Sequence, residues 1–491
     1  MATLKNKTVS GFKWLVLNNV LQKCISIGTF AILARRLEPS VFGLFAMAFV
    51  AIDGLSIFKT IGLDGGLIQK KNAPESASDT ALFLIEGMSI FLFVICFTFA
   101  PFIAKFFNNP QLGSIVRALG VVFILGGLAR VPSALLTKSM RFRLVSLIDL
   151  TGSIVNCVFA VIFSLIWQNV WSLVGAYVIK QTMMTIMAWY FSGFRFKWRF
   201  DFNAARELFK FGKYLMLLSV VSYIGANINN IVIGKLLSVT MVGYYSLASN
   251  IGNIINTQFT HIISRVMFPA YSALQDDKSD LKRAYLKTVK FITIFSFPFC
   301  VALISLSKEF VLTLYGPKWM TIIPLIRLMG FTQMLAPIMI ECGSLYRGCG
   351  KPSYDFRVNL TYLCIQIPTM ILLTSRFGLT GTVVAGMIAV LTISPISVSI
   401  AQKLVHFSWR EFFGQLIPAA FCSLVMFGVI FVLKQFFEGS TAFATSGFHN
   451  FILLGFFSLV GLLSYIGAFF MVDRSTTLEV KRMIFNLKGA A

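Results

Sequence analysis

Fourteen blocks of mainly apolar residues, most about 20 residues long or slightly more, recur through this sequence, and a helix needs about that length to cross a bilayer core. They cover 14–34, 42–62, 80–104, 113–137, 144–166, 171–193, 211–234, 241–264, 288–307, 319–341, 356–375, 379–402, 412–433 and 449–472. In lipid a helix satisfies its own backbone, so the expected fold class is an all-α membrane protein with about fourteen transmembrane helices. Four blocks are broken by polar residues or proline. Composition agrees: 57% of residues are hydrophobic and 13% charged, against about 25% charged in an average soluble chain.

The net charge of +24 first suggests nucleic acid, but its placement argues against that. With a cytoplasmic N-terminus, and with residues at a span's edge counted in the adjoining connection, the cytoplasmic segments hold 28 Lys or Arg. The opposite side holds 9 (Arg35, Arg36, Lys105, Arg117, Lys235, Lys308, Lys318, Arg376, Lys434). This bias sets orientation, with both termini in the cytoplasm, and attraction to anionic membrane lipids follows. Nucleic acid is not an expected partner. Trp14, Trp167, Trp171, Trp189, Trp319 and Trp409 lie at span ends, as in an interfacial belt. Cys342 and Cys349 have no metal-ligand spacing, and neither a metal nor a cofactor is expected. The first block is long and lacks a small-residue cleavage site, so it is expected to stay as the first span.

An internal repeat aligns residues 13–48 with 213–248 without gaps: Lys13 with Lys213, Leu15 with Leu215, Leu17 with Leu217, Val20 with Val220, Gly43 with Gly243 and Ala48 with Ala248. Six spans separate the copies. An even number keeps both halves in one orientation, so two parallel six-helix bundles with pseudo-two-fold symmetry are expected, a known transporter plan. The expected division is a first bundle at 1–200, a second at 201–403, and spans 13 and 14 with a tail at 404–491. The connections 194–210 and 265–287 are expected to carry amphipathic helices on the membrane surface.

The stretch Ala34-Arg35-Arg36-Leu37-Glu38-Pro39-Ser40-Val41-Phe42-Gly43-Leu44-Phe45 opens a set of motifs that resembles one family. Arg141-Phe142-Arg143 after Pro132-Ser133-Ala134-Leu135 follows, then Phe268-Pro269-Ala270-Tyr271-Ser272 with Leu281-Lys282-Arg283-Ala284-Tyr285. Leu314-Tyr315-Gly316-Pro317-Lys318-Trp319, with Pro324-Leu325-Ile326-Arg327, completes it. In order, these resemble the polysaccharide transporters of the multidrug/oligosaccharidyl-lipid/polysaccharide flippase superfamily, most of all the Wzx-type exporters of the colanic-acid kind. The resemblance implies flipping of an undecaprenyl-pyrophosphate-linked oligosaccharide across the bacterial inner membrane without ATP. Membrane lipids and polysaccharide polymerase or assembly proteins are the implied partners, and a monomer is expected. It also implies cavity cations in the first, second and eighth spans; by span position these are Lys23, Lys59 and Arg265.

The polar residues inside spans read the same way on their own. A charge at mid-depth costs about 2.5–3.5 kcal/mol on insertion scales, so it faces a partner or a watered cavity. Lys23, Lys59, Lys180, Arg265 and Arg327 are candidate cavity cations for a lipid pyrophosphate or acidic sugar. The competing reading pairs Lys23 with Asp53 and lets Lys59 and Arg265 reach the surface. Asp53 is also the ion-coupling candidate, for a proton or Na⁺. Polar stripes at helical spacing run through the first span (Asn19, Gln22), the seventh (Asn227, Asn230) and the eighth (Asn250, Asn253, Thr257, His261). Amides and hydroxyls suit sugar hydroxyls, although interhelical hydrogen bonding uses the same residues. Gly28, Gly54, Gly225, Pro298, Pro324, Pro337, Pro368 and Pro395 mark places where helices could bend.

Two other functions compete. A glycan polymerase or ligase needs outward-facing acid or His chemistry, and the longest outer connection, 435–448, holds one carboxylate, Glu438. A drug or organic-cation antiporter on the same fold calls for an acidic, aromatic cavity, whereas this one reads as cationic and amide-rich.

Overall fold

The computed structural model describes residues 2–59, 75–197, 200–201, 223–254, 259–438 and 447–474. Every regular element among them is helical, and nine of the helices are long and apolar enough to cross a membrane. The chain divides into two compact units, Met1–Ser246 and Leu247–Ala491.

The first unit contains α1 (Ala2–Arg36), α2 (Pro39–Lys59), α3 (Glu75–Phe106), α4 (Gln111–Lys138), α5 (Phe142–Ile166) and α6 (Val170–Ser192). It also contains α7 (223–236) and the start of α8 (Val239–Gly252). Helix α1 carries Asn18, Asn19, Gln22 and Lys23 within its apolar run. The repeat is visible in the helix ends: α1 stops at 36 and α2 starts at 39, while α7 stops at 236 and α8 starts at 239. Helix α5 packs on α1 and α6, and α4 packs on α3 and α6. Trp189 Nε1 donates to Leu128 O (2.9 Å) and Thr185 Oγ1 to Leu125 O (2.9 Å), tying α6 to α4. Inside lipid such polar contacts, with close packing, replace the hydrophobic drive that holds soluble helices together. Between α6 and α7, residues 193–197 and 200–201 are non-helical; the rest of the 194–210 connection lies outside the described residues.

The second unit contains the rest of α8, α9 (His261–Ala273), α10 (Lys278–Leu314), a 3₁₀ turn (Pro317–Ile322), α11 (Ile323–Gly348), α12 (Pro352–Val405), α13 (Trp409–Glu438) and α14 (Gly447–Val472). The surface helix expected within 265–287 is not a separate element. Helix α9 continues to Ala273 with Tyr271 fully buried, and a four-residue turn leads directly into α10. Asp277 sets that start: its Oδ1 accepts from the backbone of Ser279 (2.9 Å) and Asp280 (3.0 Å) as an N-cap. Helix α12 is two helices folded back at Gly378 (φ 60°, ψ −140°), a conformation open to glycine. The Thr374 and Thr382 hydroxyls meet at 2.8 Å across that hairpin, which corresponds to the expected break between the eleventh and twelfth spans.

Helices α13 and α14 pack on α10. Tyr465 donates to Ile294 O (2.9 Å), Lys290 pairs with Asp473 (2.5 Å), and Lys434 pairs with Glu309 (2.8 Å) while donating to Ser305 O (2.7 Å). Glu309 is 3% exposed in its side chain, so losing its cation leaves a charge stranded in a dry place. Removing one partner of a buried pair costs about 3–5 kcal/mol. Lys434→Met is therefore expected to lower the thermal midpoint clearly in detergent, and Lys434→Met with Glu309→Leu to recover most of the loss. Equal midpoints for the single variant and the parent protein would show the pair to be dispensable.

Candidate functional site

A cavity of about 300 Å³ lies inside the first unit, between α1, α2, α5 and α6. Three helices reach it through helical periodicity. Gln22, Ser26, Thr29 and Leu33 form one face of α1; Ser153, Asn156 and Ala160 form one face of α5; Leu173, Tyr177 and Lys180 form one face of α6. Helix α2 adds the rings of Phe42 and Phe45. Tyr177 sits against Phe49 (4.7 Å, 87°) and Phe45 (6.3 Å, 76°), so its ring is held edge-on at the wall. The Lys180 ammonium lies 5.7 Å from the Tyr177 ring centre, inside the roughly 6 Å range of a cation–π contact.

The polar groups here line the cavity and are largely left uncommitted by the fold. Thr29 and Ser153 donate their hydroxyl protons back to Ile25 O (2.7 Å) and Asp149 O (2.9 Å), leaving oxygen lone pairs free to accept. Among the described residues, the side chains of Gln22, Ser26, Asn156 and Lys180 make no hydrogen bond and no ion pair. Asp149 feels the Lys180 charge but forms no ion pair with it within 4.0 Å among the described residues. Interhelical glue consumes its donors and acceptors; these remain available. The cavity thus offers amides, acceptor hydroxyls, aromatic faces and one ammonium.

The residues singled out in the sequence separate into groups. Gln22 and Lys180 line the cavity. Lys23 is half-buried beside Gln22 on α1, and Asn19 is exposed one turn earlier. Among the described residues Lys23 and Asp53 form no ion pair; Asp53 is exposed and acts electrostatically on Tyr177 and Tyr223. Asn227 donates to Tyr223 O (3.4 Å), and the Asn230 side-chain oxygen is buried without a hydrogen-bond partner. Asn250 is exposed. In the second unit, Asn253 accepts from Gln333 (2.7 Å), Arg265 is exposed, and exposed Arg327 donates to the Ser307 hydroxyl (2.9 Å). Thr257 and the side chains of Lys59 and His261 lie outside the described residues.

Sequence reasoning passed over Ser153, Asn156 and Tyr177. The signal was present: Asp149, Ser153 and Asn156 are spaced 4 and 3 on α5, the same pattern that marks the eighth span. Glu341 is fully buried in the second unit and accepts from Tyr271 (2.6 Å) and Ser264 (2.9 Å).

The sequence model of a family described as "Polysaccharide biosynthesis protein" matches residues 32–324. The lipopolysaccharide biosynthesis protein WzxC of Escherichia coli (strain K12) is 24% identical over 443 residues, covering 90% of each chain. The teichuronic acid biosynthesis protein TuaB of Bacillus subtilis (strain 168) is 26% identical over 72% of this chain and 74% of its own. Among solved structures, the lipid II flippase MurJ in an inward closed conformation superposes with a TM-score of 0.76 at 15% identity, over 94% of this chain and 98% of MurJ. An inward-facing multidrug resistance MATE family transporter of the MOP superfamily gives 0.64 at 18% identity, over 79% and 96%. Nine apolar helices among the described residues, the repeated helix ends and a family match across more than half of its length make this chain a multi-pass membrane protein of the polysaccharide biosynthesis protein family, with the fold shared by MurJ and the MATE transporters.

Proposed function

We propose that this protein is a flippase that moves an undecaprenyl-pyrophosphate-linked oligosaccharide from the cytoplasmic to the periplasmic leaflet of a bacterial inner membrane, for surface polysaccharide synthesis. It is a transporter and not an enzyme. The observation that carries this reading is the set of unspent polar groups in the first-unit cavity: Gln22, Ser26, Asn156 and Lys180. Sugar hydroxyls both donate and accept, so amides and outward oxygen lone pairs match them, while aromatic faces match the apolar sides of the ring. One ammonium in a low-dielectric wall favours an anionic group on the cargo. The two sequence bundles, 1–200 and 201–403, expose this wall alternately to each side. Both termini face the cytoplasm, where the basic connections meet anionic headgroups.

Complementation tests the reading. The gene is expected to restore surface polysaccharide to a strain lacking its own exporter of this class, and not to restore drug resistance to a strain lacking an efflux pump. The reverse pattern would support an organic-cation antiporter.

Asp53 is the proposed ion-coupling residue, because it is an exposed carboxylate in α2 that acts on the cavity tyrosine Tyr177. Asp53→Asn is expected to abolish the response of flipping to an imposed proton or Na⁺ gradient while leaving gradient-free exchange measurable in proteoliposomes. A variant that still responds to the gradient removes Asp53 from coupling.

A further inference from the structure

The first unit carries a second concavity, an apolar groove of about 610 Å³ between α4, α5 and α6. Its shape follows from residue sizes. The Phe163 and Trp167 rings, one turn apart on α5, stand together with 4.7 Å between centres and form one wall. They sit against the backbone of Gly175 on α6, where a Cβ would meet Phe163 at 3.0 Å and Trp167 at 3.7 Å. Ala118 and Val121 supply the α4 side, and Val174 and Ile179 continue the α6 side. Val174 is buried and Val121 is 38% exposed, so the groove runs from the interior of the helix bundle to its outer surface. Tyr177 and Lys180 face the polar cavity from the same helix, so groove and cavity share α6 as a wall.

The mouth of the groove has a different chemistry. Trp167, Asn169 and Trp171 surround the turn between α5 and α6, all of them exposed, as in an interfacial belt. Asn169 spends its side-chain oxygen as the N-cap of α6, accepting from Trp171 N (3.0 Å). Its amide N–H groups and both indole N–H groups make no hydrogen bond among the described residues. The side chains of the mouth therefore offer mainly donors. Arg117 adds a full charge. It precedes Ala118 and lies one turn before Val121, on the exposed side of α4. Its Nε donates to Phe97 O (3.3 Å), and its guanidinium lies 4.8 Å from the centre of the Phe97 ring. The two terminal nitrogens make no hydrogen bond and no ion pair among the described residues. A cation on the lipid side of a span is costly unless an anion or water reaches it. From Trp171 to Ile179 the groove follows α6 for eight residues. That is about 12 Å at the helical rise, close to the roughly 15 Å hydrocarbon depth of one leaflet.

We propose that this groove holds one acyl chain of an anionic phospholipid, in the leaflet at the α5–α6 turn, with the lipid phosphate at Arg117 and the Trp167–Trp171 mouth. The apolar walls suit a hydrocarbon chain, and a chain of one leaflet's depth fills the groove along α6. The donors at the mouth suit phosphate and ester oxygens, and Arg117 favours a net negative headgroup. A zwitterionic headgroup brings its own cation and gains less from the guanidinium. A polyprenyl chain is far longer than the groove. The site lies outside the polar cavity and does not depend on which cargo the protein moves.

The test is photo-crosslinking of the full chain in phosphatidylcholine vesicles. The probe is phosphatidylglycerol with a diazirine at the end of one acyl chain, added at low mole fraction. Phosphatidylcholine with the same chain is the comparison probe, and labelled sites are located by peptide mass spectrometry. Labelling is expected on the groove walls, at 118–121 and 174–179, in excess of that on the exposed α13 face around Leu424 and Phe431. Phosphatidylglycerol is expected to label the groove about fivefold more than phosphatidylcholine, the factor for one basic residue near an anionic headgroup. Arg117→Gln is expected to remove that preference while groove labelling persists. Ala118→Phe fills the groove and is expected to remove its labelling while leaving that of α13 unchanged, which also shows the variant to be folded. Groove labelling no greater than on α13, or unchanged in a folded Ala118→Phe, means bulk lipid only and overturns the site. Equal labelling by both headgroups, or a preference that survives Arg117→Gln, overturns the assignment of Arg117 to a lipid phosphate. Displacement of the phosphatidylglycerol probe by a polyprenyl phosphate at equal mole fraction overturns the phospholipid as occupant.

Discussion

Lys180→Gln is expected to reduce flipping of an anionic lipid-linked oligosaccharide by roughly ten- to a hundredfold, the equivalent of one charge-assisted hydrogen bond at about 1.5–3 kcal/mol. The expectation rests on what Lys180 does not do. It forms no ion pair and no hydrogen bond among the described residues, lies over the Tyr177 ring, and points into a cavity lined with uncommitted amides. A structural lysine would lose stability on neutralisation. This one has no ion-pair or hydrogen-bond partner to lose among the described residues, so protein level and thermal midpoint are expected to stay close to those of the parent. Lys180→Arg keeps the charge and is expected to retain most of the activity, whereas Asp149→Asn, which removes a nearby negative charge, is expected to affect it much less. Initial rates in proteoliposomes, normalised to protein content, are the readout. Normal rates for Lys180→Gln would remove the cation from the mechanism and weaken the claim that the cargo is bound by charge at all.

The helical frame could be read from the sequence because it depends on block length and spacing. The spans read from sequence ended at 34 and 234 and restarted at 42 and 241; the helices end at 36 and 236 and restart at 39 and 239, at the same offset of 200. The cavity was legible only along single helices. Gln22 was found because a polar residue in an apolar span is costly and therefore conspicuous. Ser153 and Tyr177 were passed over because a small hydroxyl and an aromatic ring cost little in lipid, and Asn156 because the cavity the three share is created only by α5 packing on α1 and α6. Lys23 and Gln22 differ by one residue, about 100° around a helix, and pattern alone does not say which of them the neighbouring helices enclose; Gln22 lines the cavity. Arg327 read as a candidate cavity cation; the residue is exposed in the second unit and its Nε donates to the Ser307 hydroxyl on α10.

The buried acid of the second unit gives the other large effect, on stability. Glu341 has no exposed surface, and the Tyr271 and Ser264 hydroxyls both donate to it. Burial first, and the Glu341 charge second, push the Tyr271 phenol above its ordinary range, so the hydroxyl stays protonated and remains a donor. Tyr271→Phe keeps the ring and its packing against α11 but removes the 2.6 Å bond. A buried acceptor left short of a donor costs about 1–3 kcal/mol, so Tyr271→Phe is expected to destabilise the protein by about that amount. Glu341→Gln alone is also expected to destabilise, because an amide presents donors that neither hydroxyl needs. The decisive measurement is the cycle. If the bond links the two side chains, the double variant loses less than the sum of the single losses, by about 1 kcal/mol or more. Strictly additive losses would mean that Glu341 is held by Ser264 and the surrounding packing, and that the tyrosine hydroxyl at 2.6 Å is a neighbour without energetic weight.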